Sequence, residues 1–336
     1  MYMQLFVTGG CGFVGSNFVL DWIQEKQQPL ANIDSLNYAG QLANLQEVED
    51  NPLYTFIHGN INNRILVANS LSLHDPDCIV HFAAESKTTS PLQKSEHFLI
   101  NNVIGTFNLL EETLAFWQGL PEKRKQTFKF IYLSTDEVYE DDWSHYSPKT
   151  PYAASKACAD HLVNAYQHAF GLPTITIHSG NIYGPRQYSE KMIPSLLHQA
   201  LAGQQLDVYG NGKNMQDWLY VGDAVAAINL IIGHGTSGES YYIDGGKEQS
   251  NLSLIKTMCT ILEEKISHDP SIPSFDSLIH LIKEKANQSH SFHSHNEKIE
   301  SELGWHPDTP LNKGLESTIN WYLEHWSAPH AGDTHY

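Results

Sequence analysis

TGGCGFVGSN, residues 8–17, separates a strand-like apolar run, Met3–Thr8, from a run whose apolar residues recur at helical spacing. Its glycines at 9, 12 and 15 satisfy the spacing GxxGxxG, and those at 10, 12 and 15 satisfy GxGxxG. Glycines in such a turn allow a tight bend, the close approach of a pyrophosphate and the packing of the helix on the strand. The helix N-terminus adds N–H donors and a positive dipole. The stretch therefore predicts a dinucleotide-binding unit.

Asp34 ends the next predicted strand, Leu30–Asp34. A carboxylate at the end of this strand can accept a hydrogen bond from a ribose 2′-hydroxyl and repels a 2′-phosphate. No arginine lies nearby in the sequence to bind that phosphate. We therefore predict NAD, and not NADP, as the cofactor.

Strand-like runs alternate with helical ones through the first half of the chain, at Met3–Thr8, Leu30–Asp34, Tyr54–His58, Cys78–Phe82, Phe128–Ser134 and Thr174–His178. This alternation predicts an α/β fold, a Rossmann-type doubly wound parallel sheet with helices on both faces. Shorter, glycine-punctuated elements follow and indicate a smaller C-terminal substrate-binding domain. We expect the NAD-binding domain with the catalytic residues over 1–180, the smaller domain over 181–325 with segments interleaved with the first, and a polar tail over 326–336.

Composition excludes several classes of function. The 336 residues are 41% hydrophobic, enough for a sizeable core, and the formal net charge is −18. Such a charge disfavours binding to nucleic acid and to anionic membrane surfaces. No run of 18 apolar residues is present, so we expect neither a membrane span nor secretion.

Cysteine and histidine usage indicates a cytoplasmic protein without a metal site. The cysteines are scattered and form no CxxC pair, at Cys11, Cys78, Cys158 and Cys259. They are typical of reduced thiols in the cytoplasm. A histidine cluster, His290, His293 and His295, lies among serines and is more typical of a solvated loop than of metal ligands.

Tyr152 and Lys156 are four residues apart in a predicted helix, so the phenol and the ammonium share one face. Beside Lys156 and a nicotinamide, Tyr152 would ionise more easily and could take a proton from a sugar hydroxyl. Ser134 and Thr135 end a strand just upstream. Together with the glycine-rich turn, this spacing predicts a catalytic pair and not an exposed helix pair.

Ten segments match a known family: TGGCGFVGSN (8–17), IDSLNYAG (33–40), HFAAES (81–86), NNVIGTFNLLE (101–111), STDEVY (134–139), PYAASKACADHLV (151–163), NIYGP (181–185), EKMIP (190–194), DWLYV (217–221) and EKIESELGW (297–305). With them the chain resembles the extended short-chain dehydrogenase/reductases, and among these the dTDP-glucose 4,6-dehydratases. The most specific match is Thr135-Asp136-Glu137, because epimerases and decarboxylases of the superfamily generally lack adjacent acids there.

The resemblance implies a reaction without net redox change. Tyr152 would remove the proton of the sugar 4-hydroxyl while hydride passes from C4 to NAD, with Lys156 beside it. Glu137 would then take the C5 proton, and a protonated Asp136 would donate to the departing C6 hydroxyl. Hydride would return to C6, and Thr135 would hydrogen-bond the C4 oxygen. Adjacent carboxyls with different tasks need different proton affinities.

The resemblance also implies the binding residues. For NAD they are Gly9, Gly12, Phe13, Val14, Gly15, Asp34, Ser35, Leu36, Asn37, Gly40, Asn60, Ile61, Phe82, Ala83, Ala84, Ser86, Asn101, Tyr152 and Lys156. For a nucleotide-diphosphate sugar they are Ser86, Thr135, Asn181, Lys191, Met192, Val208, Tyr209, Gln216, Asn251 and Lys285.

The departures from the family concentrate where it binds the diphosphate. Gln216 stands where the family has an arginine. In the family's phosphate segment Lys285 keeps one charge, while His290 and Ser291 replace two arginines. A lysine offers a point charge in place of the bidentate fork of an arginine. Candidates to compensate are Lys87, Arg186 and Lys191.

Three hypotheses follow. The leading one is an NAD-dependent 4,6-dehydratase, a lyase that acts on a dTDP- or UDP-hexose. The second is a C4-epimerase or 5,6-dehydratase of the same fold. The third is a cofactor-holding paralogue whose sugar site has decayed. The catalytic set is intact, which argues against decay, whereas the missing arginines favour it.

We also expect a homodimer. The predicted helices Asn101–Trp117 and Tyr152–Phe170 carry apolar residues on more than one face, Phe107, Leu110, Leu114 and Phe116 on the first and Leu162, Val163, Tyr166 and Phe170 on the second. In the resembled family these helices pair across a dimer axis into a four-helix bundle. The alternative is burial against the C-terminal domain of the same chain.

Overall fold

The computed structural model describes residues 3–37, 39–86, 95–139, 145–209, 212, 214–266, 274–282 and 295–325. The strands in this part of the chain are β1 (Leu5–Thr8), β2 (Leu30–Asp34), β3 (Tyr54–His58), β4 (Cys78–His81), β5 (Lys129–Thr135), β6 (Thr174–Ser179), β7 (Asn181–Tyr183), β8 (Leu206–Tyr209), β9 (Met215–Tyr220), β10 (Ser240–Ile243), β11 (Glu248–Ser250) and β12 (Ile279–Ile282). The α-helices are α1 (Phe13–Gln24), α2 (Arg64–His74), α3 (Ser95–Phe98), α4 (Gly105–Gly119), α5 (Glu122–Lys125), α6 (Pro151–Phe170), α7 (Met192–Leu201), α8 (Val221–His234), α9 (Asn251–Lys265), α10 (Glu297–Leu303) and α11 (Leu311–Glu324).

Seven strands form one parallel sheet in the order β10-β6-β5-β4-β1-β2-β3. One core packs α1 and α8 against one face, and a second packs α2, α4 and α6 against the other. The order reverses beside β1, which places a crevice at the carboxyl ends of the strands. The predicted doubly wound Rossmann-type fold is confirmed.

A third core lies outside this sheet. It joins α7, α9 and α11 with β8 and with residues around β7 and β9. The strands here form a three-stranded sheet, β11-β9-β7, and a two-stranded sheet, β12-β8. The chain crosses between the two units more than once, because β10 joins the large sheet while β7 and β9 do not.

Helix α6 has sequence signals at both ends. The Thr150 hydroxyl accepts a hydrogen bond from the Ala153 N–H at 3.0 Å, and Pro151 occupies the first turn. At the other end Gly171 adopts φ 72°, the left-handed conformation that glycine tolerates. These signals fix the register in which Tyr152 and Lys156 face the crevice.

The predicted helix Asn101–Trp117 differs from the observed one. A π-helical segment, Leu99–Ile104, precedes α4, which runs over Gly105–Gly119. Within the π-segment the amide of Asn102 bonds to the backbone of Glu85 and to Ser155, both outside the helix. Wide turns of this kind are frequent at functional sites.

The helices that the structure describes include none that is long and apolar enough to span a lipid bilayer.

Candidate active site

A cavity of about 860 Å³ extends along the carboxyl ends of the sheet strands and on to the smaller unit. Its walls include the turn after β1, the ends of β2, β4 and β5, the start of α6, and parts of α7, β8 and α9. A cavity of this size and position suits a cofactor and a substrate together.

The glycine-rich turn, the phosphate cradle of this site, packs so closely on the neighbouring backbone that Gly9 and Gly15 leave no room for a side chain. A Cβ atom on Gly9 would lie 2.6 Å from the backbone of Ala83, and one on Gly15 would lie 2.3 Å from the carbonyl oxygen of Gly9. Gly12 precedes α1 without a side-chain cap. Gly12, Phe13 and Val14 line the cavity, so the N-terminus of the helix is available there to a pyrophosphate.

Asp34 is fixed at the end of β2. Its Oδ1 accepts the N–H of Leu36 at 2.8 Å and its Oδ2 accepts that of Cys11 at 2.8 Å. Burial raises the pKa of Asp34, and the two backbone N–H groups oppose that shift. Leu36 supports Asp34 through the backbone, at φ 53°, and is not among the residues that line the cavity.

The other predicted cofactor residues all line the cavity: Gly9, Gly12, Phe13, Val14, Gly15, Asp34, Ser35, Asn37, Gly40, Asn60, Ile61, Phe82, Ala83, Ala84, Ser86, Asn101, Tyr152 and Lys156. The cradle and the carboxylate of Asp34 fit an NAD molecule.

Lys156 is buried beneath the cavity, with 3% of its surface exposed. Its Nζ donates to the carbonyl oxygen of Leu133 at 2.8 Å and lies 4.3 Å from the ring centre of Tyr132. Burial lowers the pKa of Lys156 to about 8, and the negative charge of Asp160 opposes that shift. Tyr152, one turn earlier, lines the same cavity.

Three polar residues that the sequence analysis missed hold this helix in place. The Nδ2 of Asn102 donates to Ser155 Oγ at 2.8 Å and to the carbonyl oxygen of Glu85 at 3.0 Å, while its Oδ1 accepts the N–H of Glu85 at 2.7 Å. All three lie inside the quoted motifs. Asn102 and Ser155 are polar residues at buried helical positions, which is a signal in the sequence, whereas Glu85 takes part through its backbone.

Asp136 and Glu137 lie in a short 3₁₀ turn, Asp136–Val138, which Thr135 caps at the end of β5. Thr135 Oγ1 accepts the N–H of Glu137 at 3.3 Å and donates to Asp136 Oδ1 at 3.1 Å. Thr135 and Glu137 line the cavity, whereas Asp136 does not. Burial, followed by the charge of Glu137, raises the pKa of Asp136 to about 7. Asp136 can therefore hold a proton that an ordinary aspartate has lost at neutral pH.

Most predicted substrate residues also line the cavity: Ser86, Thr135, Asn181, Lys191, Met192, Val208, Gln216 and Asn251. Tyr209 ends β8, and its side chain lies outside the described part of the structure. Lys285 lies outside the described residues, as do Lys87, His290, Ser291 and His293.

Charge in the cavity is mostly negative. Its described lining residues include two lysines, Lys156 and Lys191, and no arginine. They include five carboxylates, namely Asp34, Glu85, Glu137, Glu190 and Asp207. Arg186 does not compensate, because its Nη2 bonds to Glu47 at 2.5 Å and its Nε to the carbonyl oxygen of Asn44 at 3.3 Å. Its guanidinium joins two surface segments away from the cavity lining.

The described residues contain no group of three metal-ligating side chains. His295, one member of the predicted loop cluster, donates its backbone N–H to Asp244 Oδ2 at 2.9 Å. The four cysteines are free, three buried and Cys158 exposed.

The chain is similar to known proteins over most of its length. The family model described as GDP-mannose 4,6 dehydratase matches residues 6–318. The dTDP-glucose 4,6-dehydratase of Escherichia coli is 40% identical over 96% of this chain and 94% of its own length. The structure of dTDP-glucose 4,6-dehydratase from Bacillus anthracis in complex with NAD superposes with a TM-score of 0.80 at 34% identity, covering 96% of this chain and 97% of that one. DesIV, the dTDP-glucose 4,6-dehydratase of Streptomyces venezuelae with NAD and TYD bound, gives 0.82 at 34% identity with the same coverage.

Proposed function

The chain belongs to the GDP-mannose 4,6 dehydratase family, and on that premise we propose that it is an NAD-dependent 4,6-dehydratase of a dTDP- or UDP-hexose. The observation that carries the proposal is one shared cavity, which the phosphate cradle, Tyr152, Lys156, Thr135 and Glu137 all line. The curated relative and the two structures above are named dTDP-glucose 4,6-dehydratases, which favours dTDP-glucose as the substrate.

The proposed roles are those that the resemblance implies, and Thr135, Glu137, Tyr152 and Lys156 line the cavity in which they would act. NAD bound in the cradle would accept a hydride from C4 of the sugar and return it to C6. Tyr152 takes the proton of the 4-hydroxyl, and the buried ammonium of Lys156 favours its ionised form. With the sugar bound, the Thr135 hydroxyl would turn from Asp136 Oδ1 and donate to the C4 oxygen.

The elimination falls to the two acids. Oxidation at C4 acidifies the C5–H bond, and Glu137 takes that proton. Asp136, protonated near neutral pH, supplies a proton to the C6 hydroxyl, which leaves as water. The elimination leaves a C5=C6 double bond, which the returned hydride at C6 and a proton that exchanges with solvent at C5 saturate. The C4 ketone remains, so the product is a 4-keto-6-deoxy sugar.

Adjacent acids at the end of β5 favour this reaction over C4 epimerisation, which needs no proton transfer at C5. Product analysis of dTDP-glucose turnover in deuterium oxide tests the proposal. We expect a 4-keto-6-deoxy product with deuterium at C5. A C4 epimer, or a product without deuterium at C5, would contradict it.

Binding measurements can identify the base of the nucleotide sugar. A ligand raises the apparent stability of the protein that binds it. We expect dTDP-glucose to raise the melting temperature of the NAD-loaded protein more than its UDP, CDP or GDP counterparts. A larger rise with GDP-sugars would assign a different base.

We also propose a homodimer in the cytoplasm. Leu110, Val163 and Tyr166, which suggested the dimer, are buried against the chain's own large sheet. Other apolar side chains on these helical segments are 42–55% exposed, namely Leu99, Ile100, Ile104 and Phe170. Exposed apolar side chains on adjacent helices support an interface. Light scattering that gives a monomer at micromolar concentration would contradict the dimer.

A further inference from the structure

A cluster of polar and aromatic side chains lies beside the catalytic turn and has no role in the reaction proposed above. It comprises Tyr139, Tyr146, Asp160, His178 and Tyr242. Asp160 and His178 are its buried centre, with 3% and 1% of their surfaces exposed.

The hydrogen bonds of the cluster converge on one carboxylate. As a carboxylate, Asp160 only accepts, and its Oδ2 lies 3.1 Å from His178 Nε2 and 3.4 Å from the hydroxyl of Tyr146. The Tyr139 hydroxyl donates to that of Tyr146 at 3.3 Å and accepts from that of Tyr242 at 3.1 Å. The series of donors therefore ends at Asp160.

Ring packing fixes the same residues. The His178 ring stacks on Tyr242 with a centroid distance of 4.9 Å, and Tyr139 meets His178 edge-on at 5.1 Å. Tyr139 and Tyr146 are 4.6 Å apart. Because each ring touches another, the hydroxyls have little freedom to rotate away from their partners.

The cluster connects the two halves of the catalytic machinery. Tyr139 lies two residues after Glu137, and its N–H donates to the carbonyl oxygen of Asp136 at 3.0 Å. Asp160 lies on α6, one helical turn after Lys156. One carboxylate thus links the turn with the two acids to the helix with the Tyr152–Lys156 pair.

Burying a carboxylate is costly unless donors surround it, and the loss of one donor leaves a buried charge underpaired. The donors to Asp160 are therefore held firmly in place. We propose that Asp160 and His178 are positioning residues, which hold the turn of Asp136 and Glu137 at the distance from Tyr152 that the elimination requires.

This inference rests on the proposed function, since it assigns the two catalytic steps to the two parts that the cluster joins. His178→Phe retains a stacked ring but removes the Nε2 donor. Oxidation at C4 depends on α6 and should persist, whereas elimination depends on the turn and should slow. With dTDP-glucose we expect turnover to fall about tenfold, single-turnover NADH formation to change less than about twofold, and bound NADH to accumulate.

Tyr146→Phe removes only a hydroxyl and should have the same effect as His178→Phe, a loss of turnover larger than the loss of NADH formation. It keeps the test valid if His178→Phe does not fold. Tyr241→Phe is the matched control. It lies beside Tyr242 on β10 and loses a hydroxyl bonded to Glu302 at 2.8 Å. We expect it to lower the melting temperature without accumulation of NADH. Equal loss of both rates in His178→Phe and Tyr146→Phe, or no loss in either, would overturn the inference.

If the wild-type protein makes no product from any of the four nucleotide sugars, the proposed function is wrong, and kinetics cannot test the positioning role. Crystal structures of the NAD complexes of the wild type and of His178→Phe then test that role. In His178→Phe we expect residues 135–139 to move relative to Tyr152 by more than about 0.5 Å, the tolerance of a positioned site. An unmoved turn would overturn the inference.

Discussion

The ammonium of Lys156 donates to the carbonyl oxygen of Leu133 at 2.8 Å, two residues before Thr135 on the same strand. This bond ties α6 to β5, so the pair that we propose oxidises the sugar and the acids that we propose dehydrate it share one support. Burial of Lys156 strengthens that bond but weakens the hold of the ammonium on its proton.

The first prediction concerns pH. Burial lowers the pKa of Lys156 from 10.5 to about 8, and the protonated ammonium is the active form. Formation of bound NADH in a single turnover should therefore hold up to about pH 8 and decline above it. A decline only near pH 10 would mean that Lys156 is solvated as in a free side chain.

The elimination should respond to pH earlier than the oxidation. Asp136 must hold a proton to donate it, and its pKa of about 7 means that this proton is lost as the pH rises through 7. Product formation should decline about one pH unit below the decline of NADH formation. Coincident declines in stopped-flow measurements of the two signals would contradict separate roles.

Glu137→Gln should separate the steps chemically. Tyr152, Lys156 and NAD are untouched, so C4 oxidation continues while C5 deprotonation fails. We expect product formation to fall about 10²–10⁴-fold with accumulation of bound NADH. The absorbance of the reduced nicotinamide measures bound NADH, and chromatography measures the product. Unchanged turnover would exclude Glu137 as the base.

Tyr152→Phe should give neither signal, because the first proton has no acceptor and hydride transfer cannot begin. Turnover and NADH formation should fall together by about 10²–10⁴-fold. NAD affinity, followed by titration, should change little. Normal NADH formation would require a different base for the 4-hydroxyl.

Asp34→Asn should weaken NAD binding by roughly tenfold or more, because a charge-assisted bond to the ribose is lost. The preference for NAD over NADP should become smaller in the same titrations, because removal of the negative charge also removes the repulsion of a 2′-phosphate. Asp50→Asn, an exposed aspartate outside the cavity, is the control and should bind both cofactors as the wild type does.

Lys191→Ala should weaken nucleotide-sugar binding by roughly 10- to 100-fold and leave NAD binding unchanged. Lys191 and Lys156 are the positively charged side chains among the described lining residues of the cavity. Lys313→Ala, an exposed lysine paired with Glu316, is the control. Equal sugar affinity in both variants would place the diphosphate away from Lys191.

The strands and the phosphate cradle could be read from the sequence because their signals are local. Leu30–Asp34 and Tyr54–His58 are strands as predicted, and the remaining large-sheet strands of the first half differ from prediction by one or two residues at an end. Alternating runs and glycine spacing need no knowledge of distant partners. The same holds for Tyr152 and Lys156, whose positions on one helix face follow from their spacing.

The features that the sequence did not reveal depend on contacts between distant segments. The π-segment contains Asn102, whose partners Glu85 and Ser155 are 17 and 53 residues away. Arg186 was a candidate phosphate ligand, yet it pairs with Glu47, 139 residues away. Neither helical periodicity nor charge near a motif indicates such pairings.

Strand β10 has a consequence for how the polypeptide acquires its structure during synthesis. It pairs with β6 along Thr176–Ser179 and replaces that six-residue strand as the edge of the large sheet with a strand of only four residues, yet the ribosome supplies it only at residues 240–243. A nascent chain that has emerged only to residue 180, the boundary predicted for the first domain, presents β6 as an open edge with unpaired N–H and C=O groups. Such an edge can recruit strands from other chains. We therefore expect a truncated protein ending at residue 180 to aggregate more than the full chain, which has the shorter β10 at this edge.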